Sequence, residues 1–217
     1  MINKFKVGDK IIGLKESNNM YSITNEKNGF VGEVVDVNTK DEYKDLKVKV
    51  LKANDKEDIG VCFWVNSKYF RRATVQRVYL ASPFFDEKEI EIMEKVRDIL
   101  REKGLEVFVP KENQNLELGF GSRKWRKATF KGDIEAIDTA DVVVAINCKG
   151  NYDDAGTMFE IGYSFAKQIP VILVNTTGET INLMIADSLH ALVTTEEELK
   201  EYDFNEMPVK EYENYVW

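Results

Sequence analysis

Apolar residues recur at two different spacings along this chain, and the spacing changes near residue 75. Before that point, short runs alternate apolar and polar positions: KIIGLK, GFVGEVVDV, LKVKVLKA and IGVCFWV. Polar stretches such as KESNN, TNEKNG and NTKDEYKD separate them, and none leaves room for a long helix. Period two with turn-rich spacers predicts half-buried strands. Gly8-Asp9, and Gly29 and Gly32 around a strand, mark turns or bulges. Residues 1–75 are expected to form a small all-β barrel of SH3-like type.

From Gln76 onward, strand and helix patterns alternate. RVYLA reads as a strand. Asp86–Lys103 reads as a helix, with Ile90, Met93, Val96 and Leu100 on one stripe. Asp86 and Glu89 have capping-box spacing, and Gly104 ends the helix. LEVFVP is a second strand, Lys124–Asp138 a second helix, and DVVVAIN a strand apolar on both faces. Gly156–Lys167 is a third helix and PVILVN another buried strand. A short helix near Asn182–Ala186, the strand HALVTT and a helix capped by Thr195 complete the pattern. This order predicts a doubly wound, five-stranded, mainly parallel α/β sheet, flavodoxin-like or Rossmann-like, over residues 76–217. Such sheets bind ligands at the carboxyl ends of their strands.

Composition narrows the function classes. The net charge is −8, and it is divided unevenly: residues 1–75 carry 14 Lys/Arg against 11 Asp/Glu, and residues 76–217 carry 16 against 27. An acidic chain is a poor match for a nucleic-acid backbone. No apolar run approaches a membrane span, and the opening MINKFKVGDK lacks the apolar centre of a signal peptide, so a cytoplasmic location is expected. Cys62 and Cys148 lie far apart in apolar runs and read as buried free thiols. With a single histidine, His190, and no Cys/His cluster, neither a zinc site nor a His-based triad is expected.

The first α/β strand is followed by neither a GxGxxG nor a GxxxxGKS loop. Ser82-Pro83 turn the chain there, and Phe84 and Phe85 offer either core packing or a wall for a planar base. The helix GTMFEIGYSFAK is apolar nearly all round and is expected to be buried. Glu160 is its only charge before Lys167. A carboxylate in such surroundings is costly unless used, and its place near the helix start favours the ionised form, as a nucleophile requires. Asp154, just before this helix, reads equally as an N-cap or a site residue. Asp133 borders the stripe of Phe130, Ile134 and Ile137, where solvation does not explain it. Asn182 in INLMI reads as a cap or a site amide.

Taken in order, these segments resemble the nucleoside 2-deoxyribosyltransferase family over about residues 77–217. They are YLASPFF (Tyr79–Phe85), VPKENQ ending in Gln114, FKGDIEAIDTADVVVA with Asp133, DDAGTMFEIGYSFA with Asp154 and Glu160, INLM with Asn182, and an aromatic carboxyl terminus at Trp217. The resemblance implies transfer of 2-deoxyribose between nucleobases by double displacement, with weak nucleoside hydrolysis as a side reaction. It implies Glu160 as nucleophile, Tyr79 orienting it, and Asp133 holding a sugar hydroxyl and assisting proton transfer to the leaving base. Asp154 and Asn182 would hold the 5′-hydroxyl end, while Gln114, Phe85 and Phe84 would meet the base. No cofactor or metal is implied. Partners would be 2′-deoxynucleosides, free nucleobases and at least one further copy of the chain, whose residue matching Asn182 and terminal carboxylate enter the neighbour's site; Trp217 would then lie near an active site.

A sister branch of the superfamily hydrolyses 2′-deoxynucleoside 5′-monophosphates and commonly has serine at the positions of Asp154 and Asn182. Asp154 would repel a phosphate, which favours free nucleosides here. The basic residues Arg123, Lys124, Arg126 and Lys127 would have to offset that repulsion for a nucleotide to bind, or else form a solvated helix start. A third alternative is a non-catalytic nucleotide-binding or sensing module. The N-terminal β unit, unusual for the family, is expected to be accessory.

Overall fold

The computed structural model describes residues 5–13, 30–74, 77–150 and 153–216. The chain divides into two compact units, Met1–Val75 and Gln76–Trp217.

The first unit contains β1 (Lys10–Gly13), β2 (Val31–Val37), β3 (Leu46–Lys52), β4 (Cys62–Val65) and β5 (Phe70–Arg72). They form one antiparallel sheet in the order β4-β3-β2-β1-β5. Its core is Ile11, Phe30, Val34, Leu46, Val48, Val50, Val65 and Phe70. The alternation in LKVKVLK is what puts Leu46, Val48 and Val50 on that face. Gly32 sits at a register irregularity with β3, where a Cβ would meet Val48 Cγ1 at 2.3 Å. Close backbone approach thus requires glycine there. The turns expected at KESNN and TNEKNG, and Gly29, lie outside the described residues.

Two expectations fail in this unit. Cys62 is exposed rather than buried. Strand β5 has no sequence counterpart, because FRR lacks an apolar alternation. Arg72 is nevertheless 3% exposed, and its Nε donates to Asp9 Oδ2 at 3.0 Å. A paired charge occupies a core position that pattern reading assigns to an apolar residue.

The second unit runs β6 (Arg77–Ala81), α1 (Glu87–Glu102), β7 (Glu106–Phe108), α2 (Arg123–Thr139), β8 (Val142–Ile146), α3 (Ala155–Ala166), β9 (Val171–Val174), α4 (Leu183–Ala186), β10 (Ala191–Val193) and α5 (Glu196–Glu201). All five strands are parallel, in the order β10-β9-β8-β6-β7. Strands β6, β8 and β9 are almost wholly buried, as helices on both faces require. Period two divides them. Tyr79, Ala81, Val143, Ala145, Val171 and Leu173 share one core with Ile137 of α2 and Ile161 of α3. Helix α1 packs on α5, and its capping box of Asp86 and Glu89 is formed as expected.

The chain reverses direction across the sheet between β6 and β8. That switch point, at the strands' carboxyl ends, is the usual ligand position in this architecture. No helix among the described residues is long and apolar enough to cross a membrane.

Candidate active site

Three side chains meet on the α2–α3 face of the sheet, beside the switch point. Tyr79 comes from β6 and is fully buried. Its hydroxyl donates to Glu160 Oε1 at 2.5 Å. Glu160 lies on α3, whose buried stripe is Thr157, Ile161 and Ser164. Glu160 is next to Ile161, about 100° away on the helix, so it sits on the shoulder of that stripe and is only partly buried. Ser164 fixes the same turn by donating its hydroxyl to the Glu160 carbonyl at 2.7 Å. Asp133, on α2, lies one turn before the buried Ile137 and is half-buried. Among the described residues it makes no hydrogen bond or ion pair, while its charge acts on both Tyr79 and Glu160.

The electrostatics differ from the sequence expectation in one respect. Nearness to the helix start does not keep Glu160 ionised. Loss of water pushes its carboxyl up to about 8, and the charges of Asp133 and Asp154 act in the same direction. The Tyr79 hydrogen bond opposes this without overcoming it. Loss of water also raises Asp133, to about 6. Burial and the Glu160 charge raise the Tyr79 phenol, so it stays a proton donor. Two carboxyls with different affinities for a proton, side by side, suit acid–base work. No cluster of His, Cys, Asp or Glu among the described residues is arranged to hold a metal ion.

Asp154 is the N-cap of α3: its Oδ2 accepts from the Thr157 N–H at 2.7 Å and from the Thr157 hydroxyl at 3.1 Å. Asn182 caps α4, its Oδ1 accepting from the Met184 N–H at 2.9 Å. Both capping readings therefore hold. They do not exhaust either side chain, because Asp154 keeps Oδ1 and Asn182 keeps its Nδ2 donor.

Gln114 has its backbone pinned from α2: its carbonyl accepts from Trp125 Nε1 at 2.5 Å and Thr129 Oγ1 at 3.2 Å. Phe84 and Phe85 stack at 5.5 Å after β6, with Phe85 74% exposed. Among the described residues, neither Gln114 nor this aromatic pair forms a hydrogen bond or ring contact with Tyr79 or Glu160. Trp217 lies outside the described residues.

Sequence reasoning missed Phe108. Its ring stacks on Tyr79 at 5.6 Å and 13°, opposite it in the β6–β7 register. The pairing of RVYLA with LEVFVP was the available signal. Three burial expectations also fail. Cys148 is only partly buried. Phe159 and Phe165 on α3 are 51% and 59% exposed, so that helix is not buried all round. On α2, Phe130 is 56% exposed and joins Phe159 rather than Ile137.

Residues 78–200 match the family model described as nucleoside 2-deoxyribosyltransferase, and that region lies within the second unit. A nucleoside deoxyribosyltransferase of Lactobacillus johnsonii is 30% identical over 123 residues, covering 51% of this chain and 79% of that protein. One from Limosilactobacillus fermentum is 32% identical over 93 residues, 40% of this chain and 55% of its own length. The solved structure of 2-deoxyribosyltransferase from Bacillus psychrosaccharolyticus is 46% identical with a TM-score of 0.61, covering 63% of this chain and 98% of that one. With most of the chain matched and the same fold found at that identity, this chain belongs to the nucleoside 2-deoxyribosyltransferase family and is a transferase enzyme.

Proposed function

We propose that the chain moves 2-deoxyribose from one nucleobase to another through a covalent intermediate on Glu160. The observation that carries this is the Tyr79–Glu160 hydrogen bond, set beside Asp133 at the switch point. Tyr79 occupies Oε1 and leaves Oε2 for attack. In the first half, Oε2 bonds to C1′ as the C1′–base bond breaks, and Asp133 passes its proton to the departing base. In the second half, a new base attacks C1′, Glu160 leaves, and Asp133 takes the proton back. Two inversions give retention. The carboxylates of Asp154 and Glu160 favour the positive charge that develops on the sugar. Water in place of the second base gives slow hydrolysis. Thymidine incubated with adenine should yield 2′-deoxyadenosine by chromatography; recovery of only free bases, or of no product, would sink the transferase reading.

The substrate is read as a nucleoside rather than its 5′-monophosphate. Asp154 Oδ1 accepts a hydrogen bond from a 5′-hydroxyl and repels a phosphate. The basic residues Arg123, Lys124, Arg126 and Lys127 line the exposed first turns of α2, as a solvated helix start does. Efficiency on 5′-monophosphates should be lower by at least about tenfold, or roughly 1.4 kcal/mol. Replacing Asp154 and Asn182 together by serine should narrow the gap. A wild type that prefers monophosphates would instead support the hydrolase reading.

A second copy of the chain is the protein partner in this reading. Phe130 and Phe159 on neighbouring helices are in ring contact and exposed, Phe159 stacks on Tyr163, and Phe165 lies exposed further along α3. Exposed aromatic surface of this kind marks an interface. Sedimentation should show a dimer or higher species, dissociated by Phe159→Lys; a wild-type monomer at micromolar concentration would exclude it.

A further inference from the structure

The carboxyl ends of β6 and β8 are joined by an ion pair between residues 60 positions apart. Glu89 is 3% exposed although it lies in the first turn of α1. Its Oε2 accepts from the Phe85 N–H at 2.8 Å and the Asp86 N–H at 3.3 Å. Its Oε1 accepts from Lys149 Nζ at 2.5 Å. Lys149 also lies 3.7 Å from Asp86 Oδ2. It is the only cation in the segment 147–154 that leads from β8 to Asp154.

Both ends of this link are held. On the β6 side, the Glu89 carboxylate fixes the turn that carries Phe84 and Phe85. On the β8 side, Asp153 Oδ2 accepts from the N–H groups of Cys148 and Lys149. Asn147 binds the backbone of Gly150 through two further hydrogen bonds, at 2.7 and 3.0 Å. The charges facing Lys149 are Glu89, Asp86 and Asp153. Since β6 and β8 are neighbours at Ala81 and Ala145, the pair lies across the switch point.

We propose that Lys149 and Glu89 are positioning residues: a strap that holds the Phe84–Phe85 wall at a fixed spacing from the segment ending in Asp154. This rests on the nucleoside reading above, in which the base meets the wall and the 5′ end meets Asp154. A preset spacing spares the substrate the cost of ordering two loops on binding. The strap therefore acts on substrate binding more than on the bond-making step. Because Lys149 is half exposed, dissolved salt weakens the pair, whereas Glu89 keeps its backbone donors.

The test is Lys149→Met beside Lys149→Arg. Lys149→Met should raise KM for 2′-deoxyadenosine about tenfold while kcat falls less than about threefold. Lys149→Arg should restore KM to within about twofold of wild type, since the charge is kept. Raising NaCl from about 0.05 to about 1 M should increase the wild-type KM and leave that of Lys149→Met unchanged. A Lys149→Met enzyme with wild-type KM and salt response, or with a loss confined to kcat, overturns the strap. Hydrogen exchange gives a readout independent of turnover. Lys149→Met should exchange faster at both 84–86 and 147–150, with α3 unchanged, and unaltered protection in either segment also overturns it. A wild type inactive in base exchange counts against the preceding reading, and hydrogen exchange then still decides the strap.

Discussion

Glu160→Gln should lower base exchange between thymidine and adenine by about 10³-fold or more, and should make the protein more stable above neutral pH. The first effect follows from losing the attacking oxygen. The second follows from the raised proton affinity of Glu160, from 4.5 to about 8. Between those values the folded protein holds a proton that the unfolded chain has released. The stability this proton confers is complete below 4.5 and is lost as pH rises through about 8. Glutamine cannot lose that proton and still accepts from Tyr79. Denaturant melts should show Glu160→Gln more stable by several kcal/mol at pH 9 and equal to wild type at pH 4. Exchange within tenfold of wild type would end the covalent mechanism. Equal stability at pH 9 would mean that the site does not hold Glu160 protonated.

Asp133→Asn should cost about 10²- to 10⁴-fold on thymidine, the usual worth of a proton donor to a poor leaving group. In the proposed mechanism the active form needs Glu160 ionised and Asp133 protonated, the reverse of their resting preferences of about 8 and about 6. At pH 7 that form is about 1% of the enzyme. The wild-type rate should rise with pH up to about 6, stay level, and fall above about 8. Without Asp133, the rate should instead climb toward a limit set by Glu160 ionisation and show no alkaline fall. A leaving base that already carries positive charge, as in 7-methyl-2′-deoxyguanosine, needs no proton, so the Asp133→Asn defect there should shrink to about tenfold or less. An equal defect on both substrates would remove Asp133 from proton transfer.

The sequence made the α/β unit legible because its strands are covered on both faces. VVVAI and VILV leave no other reading. Helix ends were legible from Asp86, Glu89 and Thr195, whose capping is local. The antiparallel unit was legible except at β5, where a buried ion pair of Asp9 and Arg72 replaces apolar contact across 63 positions. Tyr79 and Glu160 were named from motifs, and their contact spans 81 positions that no local pattern connects. The proton affinity of Glu160 was misjudged because a helix start is visible in sequence and the surrounding loss of water is not. Phe130, Phe159 and Phe165 were misplaced for a related reason. Apolar character marks a surface that avoids water, without telling the chain's own core from another molecule. Lys149 carried no signal, since it looks like an ordinary solvated charge, and Glu89 was legible only as half of a capping box, not as the partner of a lysine 60 positions away.

The two margins of the parallel sheet bear on the association proposed above. Beyond β10, Lys210 forms a parallel bridge to Ala191; its carbonyl accepts from the Leu192 N–H, and its own N–H donates to the His190 carbonyl. The chain's own tail therefore occupies the hydrogen-bonding groups that an incoming strand would use. At the opposite margin, β7 has only three residues and opens on the exposed Glu106. A short, charged margin discourages edge-to-edge pairing. With one side occupied and the other guarded, growth by sheet continuation is closed to this unit. In the proposed assembly, copies would meet through side chains rather than backbone, so single substitutions on a helix surface would alter it without disturbing the sheet that carries Tyr79.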